Sequence, residues 1–151
     1  MSARVEVLSR DFDHLELLTM NRRGHWSKDD DARKAWKQWG RIMSAIIKAK
    51  RGSMQTPVKI TIALYWPDRR VRDSNNYAQT GKAIVDGFVQ SGLLSDDRDS
   101  MVIGPDMRRI PKHKDRTRRS LIVVIEETTI DAELATIEEH AGLTVSQQNQ
   151  E

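Results

Sequence analysis

The fold is decided by the stretch Pro57-Val58-Lys59-Ile60-Thr61-Ile62-Ala63-Leu64-Tyr65-Trp66. Apolar residues occupy every second position from Val58 to Leu64, and shorter or polar residues stand between them. This alternation predicts a β-strand with one buried face. Pro67 ends the strand, because proline has no N–H to donate to a sheet ladder.

An amphipathic segment, Asn76–Gln90, follows this strand after a short polar turn. Its apolar and small residues recur at helical spacing and are Ala78, Gly81, Ile84, Val85 and Phe88. That spacing predicts a helix with one buried side, which ends at Ser91-Gly92. A further strand is predicted at Met101–Ile110, so the helix is a candidate crossover between two parallel strands.

The other predicted elements are a strand at His14–Thr19, a helix capped by Ser27 and ended by Gly52, and a last strand at Ser120–Glu126. The last two strands are joined by a basic, hairpin-like loop. We expect a single α+β domain, with a small mixed sheet and helices packed on one face, over residues 1–127. Residues 128–151 are expected to form a C-terminal helix and a frayed tail.

The composition excludes several classes of function. The 151 residues include no cysteine, which excludes disulfides, thiolate zinc sites and a cysteine nucleophile. No apolar run approaches the ~20 residues that cross a bilayer, and the N-terminus lacks the apolar core of a signal peptide. We therefore expect a cytoplasmic protein with no membrane partner.

Carboxylates flank the predicted crossover helix. Asp73 precedes it, beside the amide of Asn75, and Asp96 and Asp97 follow it. Such positions can meet at one edge of a sheet, where hard oxygen ligands would suit Mg²⁺. The alternative is structural, because Asp and Asn are common caps and turn residues. In that interpretation Asp73 or Asn75 caps the helix, and the later pair forms a solvated turn.

Basic residues surround these carboxylates and suggest a polyanionic partner. They are Arg69, Arg70 and Arg72 in the turn before Asp73, and Lys112, Lys114, Arg116, Arg118 and Arg119 in the last loop. Contacts from such side chains to a DNA backbone would supply affinity without sequence information. The formal net charge of +3 decides little, since the distribution of charge matters more.

Taken together, these residues resemble the RusA family of Holliday-junction resolvases, which are small dimeric endonucleases common in bacteriophages. The resemblance rests on the Arg-rich turn, Asp73-Ser-Asn-Asn76, Lys82-Ala83, Asp86-Gly87, Gly92 and Asp96-Asp97, together with Asn21, His25-Trp26 and the closing Ile125-Glu-Glu127. It covers the chain from about Leu17 to Glu127. It implies a RusA-like nuclease domain, a homodimer and a four-way DNA junction as substrate, with no small-molecule cofactor.

The resemblance also implies residue roles. Asp73 and Asp97 would bind Mg²⁺, or Mn²⁺ in its place, with help from Asp96, and Lys82 would be the catalytic lysine. The alternative for Lys82 is a surface ion pair with Asp86, four residues along the helix. Asn75 stands where the family motif has a second carboxylate, so the metal site keeps its shape but loses a negative charge.

Two other interpretations of the chain are open from the sequence. The first is a junction-binding protein that does not cut, for which Asn75 is the main support. The second is a structural or partner-binding protein with an incidental basic loop. His25 and Trp26 are expected to anchor their loop by packing, although His25 could also act as a general base or contact phosphate.

Overall fold

The structure is a computed structural model that describes residues 3–13, 17–19, 26–98 and 101–142, with no side-chain description at 26–28 and 130–135. Its elements in these ranges are β1 (Val5–Asp11), α1 (Trp26–Arg51), β2 (Val58–Tyr65), a 3-10 turn (Ser74–Tyr77), α2 (Ala78–Gln90), β3 (Val102–Arg109), β4 (Ser120–Glu127) and α3 (Ile130–Ala141). None of the described helices combines the length and apolar content needed to cross a membrane.

The four strands form one mixed sheet in the order β1-β4-β2-β3. β2 pairs in parallel with β3 and antiparallel with β4, and β4 pairs antiparallel with β1. The parallel pairing is made possible by α2, which carries the chain from β2 to β3. The α+β class, the mixed sheet and the crossover helix are therefore confirmed.

The predicted hairpin between the last two strands is wrong. β4 does not pair with β3 but lies on the other side of β2, where Ile60 faces Ile125 and Ile62 faces Val123. β4 is paired on both sides, with β1 and β2, and alternates between buried and partly exposed positions. β3 carries Gly104-Pro105 and a register shift against β2, features that belong at a sheet edge.

The first strand lies earlier than the sequence predicted. Val5–Asp11 forms β1, whereas Leu17 and Leu18 are buried outside any strand. The backbone of Leu18 instead exchanges hydrogen bonds with the hydroxyl of Thr80 on α2, at 2.9 and 3.2 Å. Residues 14–16 of the predicted strand lie outside the described ranges, as does the predicted frayed end, Gln147–Glu151.

The burial pattern of β1 does not follow the hydrophobicity of its residues. Its β-branched residues, Val5 and Val7, are exposed, whereas Glu6 is buried beside Leu8. Glu6 is held by Arg4 at 3.0 Å and by Arg51 at 2.8 Å. Burial raises the pKa of Glu6, but hydrogen bonds from the two arginines outweigh it and leave the pKa below its ordinary value.

α1 and α2 pack together over the buried face of the sheet, with Trp36, Ile84 and Phe88 fully buried among strand residues. The two helices approach closely at Gly40 and Gly87. A Cβ added at Gly87 would lie 2.3 Å from the carbonyl oxygen of Lys37. This close packing fixes the position of α2, on which part of the candidate site is carried.

Candidate functional site

The turn after β2 is built around Trp66, which is 2% exposed. The guanidinium of Arg72 lies 4.6 Å from the centre of the Trp66 ring, and its Nη2 donates to Asp68 Oδ2 at 2.9 Å. The hydrogen bond from Arg72 holds the pKa of Asp68 far below its usual range. Arg72 therefore shapes the turn from within.

Arg109 of β3 supports the same turn from the other side. Its guanidinium lies 5.6 Å from the Trp66 ring and donates to the carbonyl oxygen of Arg70 at 2.6 Å. The tip of the turn is left in solvent, since Arg69 and Arg70 are exposed and Val71 is 99% exposed. Of the three predicted DNA-binding arginines here, Arg69 and Arg70 are the accessible ones.

Asp73 caps the 3-10 turn that precedes α2. Its Oδ1 accepts from the backbone N–H of Asn75 at 3.0 Å, and its carbonyl oxygen accepts from the N–H of Asn76 at 3.1 Å. Ser74 ties the turn to β3 by donating to the carbonyl oxygen of Met107 at 3.0 Å. The capping role is thus real, yet an exposed carboxylate that accepts one hydrogen bond retains lone pairs for another ligand.

A cavity of about 290 Å³ lies between α2, the loop that follows it and β3. Its lining residues are Ala78, Lys82, Val85, Asp86, Asp97, Val102, Gly104 and Pro105. Lys82 and Asp86 come from successive turns of α2, and Asp97 comes from the loop beyond the helix. The structure therefore brings together two of the predicted catalytic residues, Lys82 and Asp97.

The wall of this cavity on the β3 side depends on Gly104. Its φ of +100° lies in the region that L side chains rarely adopt. A Cβ there would also lie 2.6 Å from the carbonyl oxygen of Ile60 and 2.7 Å from the backbone N of Asp106. A glycine at this position lets β3 bulge toward the cavity, where Pro105 completes the wall.

The predicted alternative for Lys82, an ion pair with Asp86, is not formed. Within the described ranges Lys82 makes no salt bridge to any carboxylate, although Asp30–Lys34 and Asp68–Arg72 do pair at the same i,i+4 spacing. An ammonium and two carboxylates thus share the cavity without the Lys82–Asp86 contact. Such an arrangement can engage an outside ligand that carries both a cation and an anion, such as a metal-bound phosphate.

Asp96 behaves as a turn residue. Its Oδ1 accepts from the N–H of Asp97 at 2.7 Å, and its Oδ2 lies 2.7 Å from Arg98 Nε. The hydrogen bond from the N–H of Asp97 is the main cause that lowers the pKa of Asp96. For this residue the structural interpretation of the Asp96-Asp97 pair holds, while the neighbouring Asp97 reaches the cavity.

The predicted metal ligands are divided between two places. Asp97 lines the cavity, whereas Asp73 and Asn75 lie on the 3-10 turn that leads directly into α2. Among the described side chains, no group of three or more His, Asp or Glu is close enough to hold a metal ion. One or two carboxylates, completed by waters and substrate phosphate, are nevertheless an ordinary Mg²⁺ ligand set, so the donors present fit this ion.

The basic loop after β3 divides into two parts. Lys112, Lys114 and Arg116 are exposed, and the Arg116 guanidinium lies 5.6 Å from the Tyr65 ring. Arg118 pairs with Asp11 at 3.3 Å, and Arg119 lies 4.0 Å from Asp13. The first three cations are therefore more available to a polyanion than the last two.

Asp86 is the site residue that the sequence did not assign to catalysis. Asp86-Gly87 is part of the motif that carries the resemblance, but no catalytic role is implied for Asp86, and its spacing from Lys82 favours a surface ion pair. His25 lies outside the described ranges, and Trp26 begins α1 without a described side chain.

Comparison with known proteins adds no relative, because no protein-family model matches the chain and no curated protein matches its sequence.

Proposed function

We propose that this protein is a Holliday-junction resolvase-like endonuclease, which hydrolyses phosphodiester bonds in four-way DNA junctions with the help of Mg²⁺. The observation that carries the proposal is the cavity shared by Lys82 and Asp97, together with Asp86. These residue types suit phosphodiester chemistry, and all three stand in the motifs by which the sequence resembles the RusA family, which implies catalytic roles for Lys82 and Asp97.

The chain's own residues have distinct roles in the proposed reaction. Asp73 and Asp97 would hold the metal ion, with Asn75 assisting, Asp86 adding a carboxylate within the cavity and Asp96 ordering the turn that presents Asp97. When bound, Mg²⁺ or Mn²⁺ supplies Lewis acidity and lowers the pKa of a coordinated water. The Lys82 ammonium faces the scissile phosphate and neutralises the negative charge that develops in the transition state.

DNA binding is assigned to the two exposed basic segments. Arg69 and Arg70 at the tip of the turn, and the loop cations Lys112, Lys114 and Arg116, would contact backbone phosphates. Arg118 and Arg119 would also contact phosphates, after giving up their ion pairs with Asp11 and Asp13. Arg72 would contribute by holding the turn in shape. Contacts of this kind recognise the charge and shape of DNA rather than its base sequence.

A homodimer is proposed as the cutting unit. A four-way junction offers two equivalent strands for cleavage, and a protein with two-fold symmetry presents two equivalent sites. The setting is DNA recombination and repair in the cytoplasm. This part of the proposal follows from the resemblance and from the symmetry of the substrate.

A second candidate function is junction binding without cleavage. It is favoured by Asn75, an amide where a carboxylate is expected. Both candidates require the same basic surfaces. They differ only in what the cavity does once DNA is bound.

The two candidates are separated by one set of assays on synthetic four-way junctions and matched duplexes. Binding is measured in EDTA, and nicking is then measured after addition of Mg²⁺ or Mn²⁺. The endonuclease prefers junctions and nicks them only with metal, and Asp73→Asn and Lys82→Ala strongly reduce nicking while junction binding persists. Junction binding without metal-dependent nicks supports the second candidate, and equal binding to junction and duplex refutes both.

A further inference from the structure

The basic loop after β3 has little of its own to hold its shape. Residues 111–118 are all exposed, so apolar burial contributes little to their order. Within the loop, the N–H of Arg116 donates to the carbonyl oxygen of His113 at 3.1 Å and closes a tight turn. A loop whose cations bind phosphate at defined positions needs a further anchor, because ordering free backbone costs conformational entropy at every residue.

That anchor is the hydroxyl of Tyr65, the last residue of β2. Tyr65 is fully buried, and its Oη accepts from the N–H of His113 at 3.1 Å. The same Oη lies 2.9 Å from the carbonyl oxygens of both His113 and Arg116, which share its single proton. One side-chain oxygen thus contacts backbone groups at both ends of the turn.

The anchor is rigid because of where Tyr65 lies. β2 is paired on both sides, and Tyr65 stands opposite Ser120, the first residue of β4. The loop therefore begins at the end of β3, contacts the Tyr65 hydroxyl, and ends at the start of β4, which is paired with Tyr65. The Arg116 guanidinium above the ring adds a contact from the cation itself.

We propose that Tyr65 is a positioning residue for DNA binding, which fixes the His113–Arg116 turn so that Lys112, Lys114 and Arg116 meet backbone phosphates together. The role rests on the proposed function. A purely structural role for Tyr65 would affect only stability. The positioning role also predicts that loss of the hydroxyl lowers the number of phosphates that the loop binds at once. Tyr65 acts through the loop and does not itself contact DNA.

The test is the variant Tyr65→Phe, which keeps the buried ring and removes only the hydroxyl. Hydrogen exchange at the His113 amide should become faster, because its acceptor is gone. Affinity for a four-way junction in EDTA should fall about three- to tenfold, the effect of losing one or two hydrogen bonds that organise the binding surface. The slope of log affinity against log salt should become shallower by about one for each phosphate that the loop no longer engages.

Ser53→Ala is the matched control. It also removes one hydroxyl, which donates to the carbonyl oxygen of Gly92 at 2.8 Å, near the start of β2 and far from the loop. This variant should leave junction affinity and the salt slope unchanged. If Tyr65→Phe exposes the His113 amide but matches the unmodified protein in affinity and slope, the positioning role is refuted and DNA binding stands. If the unmodified protein binds no DNA, the proposed function fails first and the role fails with it.

Discussion

Gly87→Ala offers a quantitative test of how the site is held in place. Gly87 lies on α2, between Asp86 and the buried Phe88, where the helix meets α1. An added Cβ would lie 2.3 Å from the carbonyl oxygen of Lys37 and 2.6 Å from the backbone N of Arg41. Both are backbone atoms of a long helix, so neither can move aside as a flexible side chain would.

The expected cost follows from that distance. The Cβ would be about 1 Å short of ordinary van der Waals contact, so α1 and α2 must separate along their packed faces. Overpacking of this kind costs about 1–3 kcal/mol, at the upper end where backbone must move. Alanine regains about 1 kcal/mol of helix propensity relative to glycine. The net loss of unfolding free energy is about 2 kcal/mol, or about 4–8 °C in Tm for a chain of this length.

Thermal and urea unfolding measure this loss directly, and Gly81→Ala on the same helix is the control. A Cβ at Gly81 would meet only side-chain atoms, namely Met107 Sδ at 2.9 Å near the end of a flexible side chain, Ile62 Cδ1 at 3.1 Å and Pro105 Cγ at 3.2 Å. Its stability should change by less than about 1 kcal/mol. The close helix packing is refuted if Gly87→Ala is as stable as the unmodified protein, or no less stable than Gly81→Ala.

Three further predictions concern the candidate site and the buried Glu6 with its two arginines. Lys82→Ala should lower metal-dependent junction cleavage about 10²–10³-fold while the unfolding transition stays unchanged, because Lys82 is exposed and makes no salt bridge within the described ranges; unchanged cleavage would remove Lys82 from the mechanism. Asn75→Asp should lower the Mg²⁺ concentration needed for half-maximal cleavage, because it restores a negative charge beside Asp73; no change in that concentration would exclude Asn75 from metal binding. The lowered pKa of Glu6 stabilises the fold fully above the ordinary value of 4.5, and this contribution is lost as pH falls through the depressed folded pKa. Glu6→Gln should therefore weaken the protein at pH 7 and reduce the difference in urea midpoint between pH 7 and pH 3, whereas an undiminished difference would show that other groups dominate.

The parts of the fold that could be predicted from the sequence are those with an uninterrupted pattern. β2 alternates without a break, and α1 has a helical period with basic residues in its last turn and a glycine after it, so the sequence locates both within a few residues. The crossover between β2 and β3 follows from their order. In these segments the spacing of apolar residues matches the structure, because one face of each element is buried and the other is not.

The errors arise where burial and hydrophobicity disagree. β1 buries Glu6 and exposes Val7, so its pattern points to the wrong face, and one of the two arginines that hold Glu6 is distant in sequence. The position of β4 depends on which partner strand is available, which a short basic loop cannot reveal. Leu17 and Leu18 resemble a strand because they are apolar, yet the Leu18 backbone bonds to a side chain of α2.

The candidate site is predictable to a similar degree. The sequence points to Lys82 and Asp97, and they line one cavity. Asp86 is overlooked because its spacing from Lys82 also fits a surface ion pair, and only the structure shows that this pair is not formed. The different roles of Arg69 and Arg72, two turn arginines alike in sequence, depend on the Trp66 ring and likewise require the structure.

Metal-dependent cleavage of junctions is tested by mapping cuts in a synthetic four-way junction at nucleotide resolution, using the unmodified protein with Mg²⁺ and with EDTA. We predict paired nicks at symmetry-related positions on opposite strands, present only with the metal and abolished in Asp97→Asn. Intact junctions under both Mg²⁺ and Mn²⁺, with the protein demonstrably bound, would rule out the proposed metal-dependent cleavage. So would cuts that persist in EDTA or in Asp97→Asn.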